Sequence, residues 1–200
     1  MNLNISLRGK YVYLEPFSLS HFDGIRALAK DERIWEFNKM LTIDATYDTR
    51  FKEYFVTALD PGALGGQQTF VIRDTASNAL IGMTRLYEIN PKERTALIGY
   101  TWYTPSVWGQ VHNRECKLLM LQYIFEEMHF NRVEFRVAHQ NIRSQKAVEK
   151  IGGVKEGVLR KHGYRNDGSI RHTVIYSIID DEWPEKKESL LQLIAKSKNH

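Results

Sequence analysis

Between Leu97 and Val137 the apolar residues change their spacing twice. Leu97-Ile-Gly-Tyr-Thr-Trp-Tyr103 reads as a strand. From Arg114 to Met128 the apolar positions are Leu118, Leu121, Phe125 and Met128, with Met120 and Ile124 alongside, which is one buried face at helical spacing. Arg132-Val-Glu-Phe-Arg-Val137 then alternates strictly, as a half-buried strand does. A strand, a helix and a strand in so short a span restrict the chain to folds in which helices cover a sheet.

The link inside that unit, Trp108-Gly109-Gln110-Val111-His112-Asn113, runs from a strand into a helix N-terminus. Such a link exposes unpaired backbone N–H groups at the positive end of the helix dipole, a ready site for phosphate. Asn141-Ile-Arg-Ser144 opens a second helix, capped by Asn141, burying Ala147, Val148 and Ile151 and stopped by Gly152-Gly153.

The remaining elements fit the same class. Tyr11 to Glu15 alternates as a first strand. Ser18 or Ser20 caps a helix over Asp23–Lys30, and the region Asp31 to Asp60 holds one or two helices with apolar positions at Phe51, Tyr54, Phe55 and Ala58. Gln68–Arg73, Leu80–Tyr87 and Arg94–Tyr103 are strands joined by turns, as in an antiparallel meander. Val154–Tyr164 and Ile170–Ile179 form a hairpin around Asn166-Asp-Gly-Ser169, and Leu190–Ile194 a short terminal helix. The order gives an α/β fold with a mixed, mostly antiparallel sheet flanked by helices.

Length and composition exclude several classes. The 200 residues, 42% hydrophobic and 26% charged, suit one domain over residues 1–200 with a full-sized core. There is no apolar run long enough for a membrane span, and Met1-Asn-Leu-Asn-Ile-Ser6 carries no secretory pattern. The lone Cys116 forms no internal disulfide and suits a reducing cytoplasm. No Cys/His cluster has metal-ligand spacing. A net charge of +4 without a basic stripe argues against nucleic acid as a partner.

Together, Gly99-Tyr-Thr-Trp102, Pro105 to Gly109, Asn113 to Lys117, Asn131 to Phe135, Asn141 to Ala147, Gly157 to Arg160, Asp167-Gly168 and Thr173 to Ser177 resemble the GNAT family of acyl-CoA-dependent N-acetyltransferases. The resemblance runs from Leu7 to Pro184 and is nearest to the RimJ/RimL branch, which acetylates ribosomal-protein N-termini. It implies the GNAT fold, acetyl-CoA as cosubstrate, no metal, and transfer to a protein N-terminal α-amine or a small-molecule amine. Small enzymes of this type are often homodimers.

In the family, a Gln/Arg-x-x-Gly-x-Gly/Ala loop wraps the pyrophosphate with backbone N–H groups; the matching positions are Ser106, Gly109 and Val111, so one glycine is kept. A β-branched residue at positive φ costs about 1–3 kcal/mol, so Val111 is expected at negative φ. The resemblance assigns cofactor contacts to Trp108, Gly109, Gln110, Val111, His112, Asn113 and Arg114, to the peptide groups of Trp102 and Tyr103 along the pantetheine arm, and to Asn141, Arg143 and Lys146. The side chains of Tyr100, Trp102 and Trp108 are expected to pack. Ser144 is the candidate acid for the departing thiolate, because the tyrosine many relatives carry is Val148 here. The family's glutamate base is replaced by Leu97, which leaves Glu88, with His112 as a second choice. A strong base is dispensable for an α-amine of pKa ~7.7–8.0, roughly a tenth neutral at pH 7, but not for a lysine at ~10.4. Val111, Val148 and Leu97 also suit a rival reading, a non-catalytic acyl-CoA-binding or regulatory protein.

Overall fold

The computed structural model describes residues 5–37, 41, 43–165 and 168–197. Eight strands form one sheet: β1 (Leu7–Arg8), β2 (Val12–Pro16), β3 (Gln67–Asp74), β4 (Leu80–Asn90), β5 (Thr95–Tyr103), β6 (Arg132–Ala138), β7 (Val154–Tyr164) and β8 (Ile170–Ile179). Their order is β1-β2-β3-β4-β5-β6-β8-β7, antiparallel except for β5 against β6. Five α-helices accompany them: α1 (Phe22–Leu28), α2 (Tyr47–Leu59), α3 (His112–Gln122), α4 (Ile142–Lys150) and α5 (Trp183–Lys196).

Alternation along the strands splits the core into two clusters. Phe70, Ile72, Leu86, Ile98, Phe135 and Tyr176 face the side covered by α3, α4 and α5. Val71, Met83 and Trp102 face the other side, under α1 and α2. The four apolar positions expected between Asp31 and Asp60 are all buried on α2. The meander and the final hairpin lie where the alternation places them; of the hairpin turn, Asn166 and Asp167 fall outside the described residues. Ser18 leads into a 3-10 turn, Leu19–His21, and α1 follows from Phe22.

Three elements differ from the sequence expectation. The terminal helix is fourteen residues rather than five, because Pro184 sits in its first turn and Trp183, Leu190 and Ile194 are its buried stripe. The long helix after the loop begins two residues early, at His112, and ends in a π-turn over Tyr123–Glu127. That turn sets Phe125 against Trp183 and lets Glu126 accept from the Trp183 indole at 2.7 Å, tying α3 to α5. Third, β5 is bulged: Met83 opposes Trp102 and Arg85 opposes Gly99, so Thr84 faces both Tyr100 and Thr101. Tyr100 takes φ +50, the left-handed conformation that admits the extra residue.

Candidate active site

The site starts from an unfinished strand pairing. β6 pairs with β8 through all seven residues, but with β5 only at Thr95, Ala96 and Leu97. Beyond Leu97 and Glu134 the two parallel strands part, and the edge of β5 from Ile98 to Tyr103 faces a gap. Successive peptide groups of a strand point to opposite edges. Thr104 donates to Ile81 of β4, so Trp102, two residues back, shares that direction and Tyr103 faces the gap. This corrects the expectation for Trp102: its peptide is directed to β4 and its indole is buried, donating to the Tyr54 hydroxyl at 3.1 Å. Of the Tyr103 peptide groups only the N–H is without a partner among the described residues, since the carbonyl accepts from the Trp108 indole at 2.9 Å.

At the end of that edge the chain turns into α3. The amides of Gly109, Val111, His112, Asn113 and Arg114 have no acceptor among the described residues, whereas Gln110 donates back to Val107. The loop therefore offers a cluster of N–H groups at a helix N-terminus, without Gln110. Val111 sits at φ −71, so its branched side chain costs nothing there. Gly109 takes φ +76, where glycine is favoured. The side chains of two of these residues turn away from the amides. Arg114 donates from Nη2 to Ser197 at 2.6 Å, and His112 is buried with Nε2 3.1 Å from Asp74 Oδ2. Asp74, held to about pH 2 in its titration by the Ser77 hydroxyl and amide and then by His112, thus fixes the start of α3 against the β3–β4 turn.

Helix α4 borders the same gap. Asn141 caps it by accepting from the Ser144 amide at 2.9 Å. The Ser144 hydroxyl makes no hydrogen bond among the described residues. Arg143 lays its guanidinium 4.1 Å from the Trp108 ring centroid and joins α4 to the loop. Trp108 thus packs against the core, as expected, and also bridges α4 to the loop. Lys146 is exposed.

The face under α2 holds a cleft of about 640 Å³, lined among others by Arg50, Glu53, Tyr54, Arg85 and Tyr100. It reaches the bulge through Tyr100, which packs edge-on against Tyr87, as expected, and also lines the cleft.

Residues 12–154 match the model of the acetyltransferase (GNAT) domain. The chain belongs to the GNAT family. YdaF of Bacillus subtilis (strain 168), provisionally named a ribosomal N-acetyltransferase, is 34% identical over 110 residues, 54% of this chain and 58% of YdaF. The matched stretch thus spans little more than half of that relative. YjcK of the same organism, named an N-acetyltransferase with similar reserve, is 26% identical over 88% of this chain and 98% of its own. A solved GCN5-related N-acetyltransferase from Brucella melitensis superposes with a TM-score of 0.84 at 27% identity, covering 96% of this chain and 86% of that one. The mixed sheet expected from the sequence is the GNAT fold, and the likeness to ribosomal N-acetyltransferases is consistent with YdaF.

Within this GNAT domain the expected bases are occupied. Glu88 accepts from Arg136 at 2.7 Å, and Arg136 also holds Glu134, which Arg132 joins to Glu156. Glu88 lies beside Asn90 and Thr95, at the closed end of the β5–β6 pair, in a second hollow of about 400 Å³. Its carboxylate, committed to a guanidinium, is part of a surface ion network rather than a free proton acceptor. His112 is spent on Asp74. Sequence reasoning missed Arg85, Tyr54 and Tyr100, because an arginine in a strand and aromatics near it read as ordinary surface and core.

Proposed function

We propose that this chain transfers the acetyl group of acetyl-CoA to a primary amine by direct attack. The observation that carries the reading is the gap beyond Leu97 and Glu134, with the free N–H of Tyr103 on one side and the unpaired amides from Gly109 to Arg114 at its end. These groups suit the two parts of the cosubstrate: a peptide-like pantetheine arm that extends a strand edge, and a pyrophosphate that wants N–H donors at a helix N-terminus. Arg143 on its Trp108 shelf adds a cation beside the phosphates.

Acetyl-CoA supplies an activated thioester. The Tyr103 N–H is placed to hold the thioester oxygen as it gains charge. The acceptor enters from the α2 face, where the cleft reaches the bulge at Tyr100. Its nitrogen bonds to the acetyl carbon, the C–S bond breaks, and the amine proton leaves to water. The free Ser144 hydroxyl relays a proton from water to the departing thiolate and regains its own in the same step; a leaving group of pKa ~8.5 is good enough for so weak an acid. With Glu88 and His112 engaged elsewhere, an amine that is partly neutral at pH 7 suits the site better than a lysine, and a protein N-terminus or a small amine of low pKa is the acceptor class.

The alternative, acyl-CoA binding without turnover, draws on Val148, which is buried where relatives carry a phenol. Isothermal titration with acetyl-CoA and then CoA, followed by thiol release against N-terminal peptides and small amines, separates the readings. Micromolar binding of both with acceptor-dependent release is the expected result. Binding without release over a broad amine panel favours the alternative. No binding of either ligand overturns both.

A further inference from the structure

Arg85 carries a charge that no carboxylate among the described residues answers. It lies on β4 at 1% exposure, one of the largest fully buried side chains. No carboxylate lies within ion-pair distance of it among the described residues. Its Nη1 donates to Gln67 Oε1 at 3.3 Å, while Nε and Nη2 have no hydrogen-bond partner. Its guanidinium carbon is 5.0 Å from the Tyr54 ring centroid and 4.6 Å from that of Tyr100.

Leaving a guanidinium buried without an anion is costly, and aromatic faces offset only part of that cost. The unpartnered atoms are also the informative ones. Nε and Nη2 form one edge of the planar fork, with two parallel N–H bonds spaced for the two oxygens of a carboxylate. Gln67 holds the opposite side and so fixes which edge is free; its own Nε2 is anchored on the Thr57 and Asp60 carbonyls at 2.5 and 2.7 Å. The half-buried Tyr100 ring, stacked on the guanidinium and lining the cleft, is the wall that must turn aside for a ligand to reach it.

We propose that Arg85 is the carboxylate-binding subsite of the acceptor cleft, so that the preferred acceptor is an amine bearing a carboxylate a few bonds away. This rests on the acetyl-transfer reading. Arg85 pairs with Gly99, the residue before the bulge, so a carboxylate held on its fork keeps the attached amine beside the part of β5 that borders the gap. Glu53, at the exposed side of the same cleft, gives the ammonium form an attractive counter-charge. The carboxylate can come from an acidic side chain at a peptide N-terminus or from the α-carboxylate of a free amino acid.

The test has two arms that do not depend on each other. In the first, full-length protein is assayed with acetyl-CoA against matched pairs: peptides beginning with Glu or Asp against Gln or Asn, and free amino acids against their α-amides. Preference for the acid of each pair on the order of 100-fold in kcat/KM is expected, and the pair that shows it names the source. Arg85→Gln brings the acid-to-amide ratio of kcat/KM within the variant close to one; Arg85→Lys, which keeps charge but loses the fork, recovers part of the preference. Equal rates for acid and amide with acetyl transfer intact overturn the subsite and leave the reaction standing. In the second arm, N-acetylglutamate and N-acetylglutaminamide, which carries no carboxylate, are compared as stabilisers by thermal shift on wild type and Arg85→Gln, whose circular dichroism first establishes that it folds. A rise in Tm with N-acetylglutamate on wild type alone is expected even if no acceptor turns over. No selective shift on wild type overturns the proposal.

Discussion

Lys117 shows how one residue can be costly to the fold that holds it. It is buried on α3, with Nζ 2.7 Å from Thr101 Oγ1 and 3.3 Å from Thr84 Oγ1, and no carboxylate pairs with it among the described residues. Burial pushes its pKa below the usual 10.5. The unfolded chain therefore holds this proton more tightly than the folded one, and stability rises with pH until the unfolded amine also titrates near 10.5. Lys117→Met is expected to raise Tm at pH 7 by about 2–4 °C, equivalent to about 1 kcal/mol in a chain of this size. It should also flatten the rise of Tm as pH climbs towards 10.5 in scanning calorimetry. A lower Tm with the slope unchanged would show that the amine earns its place by holding the two threonines at the bulge. Ser144→Ala tests the acid: kcat should fall roughly tenfold, less than for a poor leaving group, with acetyl-CoA affinity unchanged by titration. Neither Lys117 nor Arg85 was legible in the sequence. A charged residue in a strand or helix reads as solvent-facing, and only the packed structure shows that both point inward.

At the level of elements, legibility followed the strength of the hydrophobic period. The alternation of β6 and the apolar spacing of α2 have one reading each, and the structure has it. The bulge at Tyr100 left no such trace, because nothing in an aromatic residue signals a positive φ; the neighbouring strands impose it. The reach of α5 was hidden for a different reason: its buried residues are widely spaced between charges. Contact between α4 and the loop before α3 was also invisible, since the two lie more than thirty residues apart and meet through the Arg143–Trp108 stack. Arg143→Ala removes that pair. A two- to five-fold loss of acetyl-CoA affinity is expected, in line with an exposed cation–π contact of about 0.5–1 kcal/mol. Titration at low and high salt would check it, and an unchanged affinity would assign the stacking to loop order alone.

Across the whole molecule, acid stability should be set by a few carboxylates with strongly lowered pKa values. Glu156, bonded by Arg132 and then the Ser177 hydroxyl, is lowered to about 2, as is Asp74. Groups lowered in this way add stability that is complete above the unfolded carboxylate values, near 4, and lost as pH falls towards 2. Tm should therefore be insensitive to these groups from pH 8 to 5 and fall steeply below about pH 4. Asp74→Asn and Glu156→Gln should each lower Tm at pH 6 and blunt the acid fall; an acid limb unchanged in both would locate the sensitive groups elsewhere.

The three-residue pairing of β5 with β6 divides the sheet into two leaves, β1 to β5 and β6 to β8, stitched by backbone hydrogen bonds at one end only. The rest of the join is made by the packing of α3, α4 and α5 across it. A sheet built this way has a seam, and on the proposed reading a pantetheine amide would supply its missing stitches. A ligand that supplies them behaves as a removable strand, so occupancy of the seam and cohesion of the two leaves become a single equilibrium.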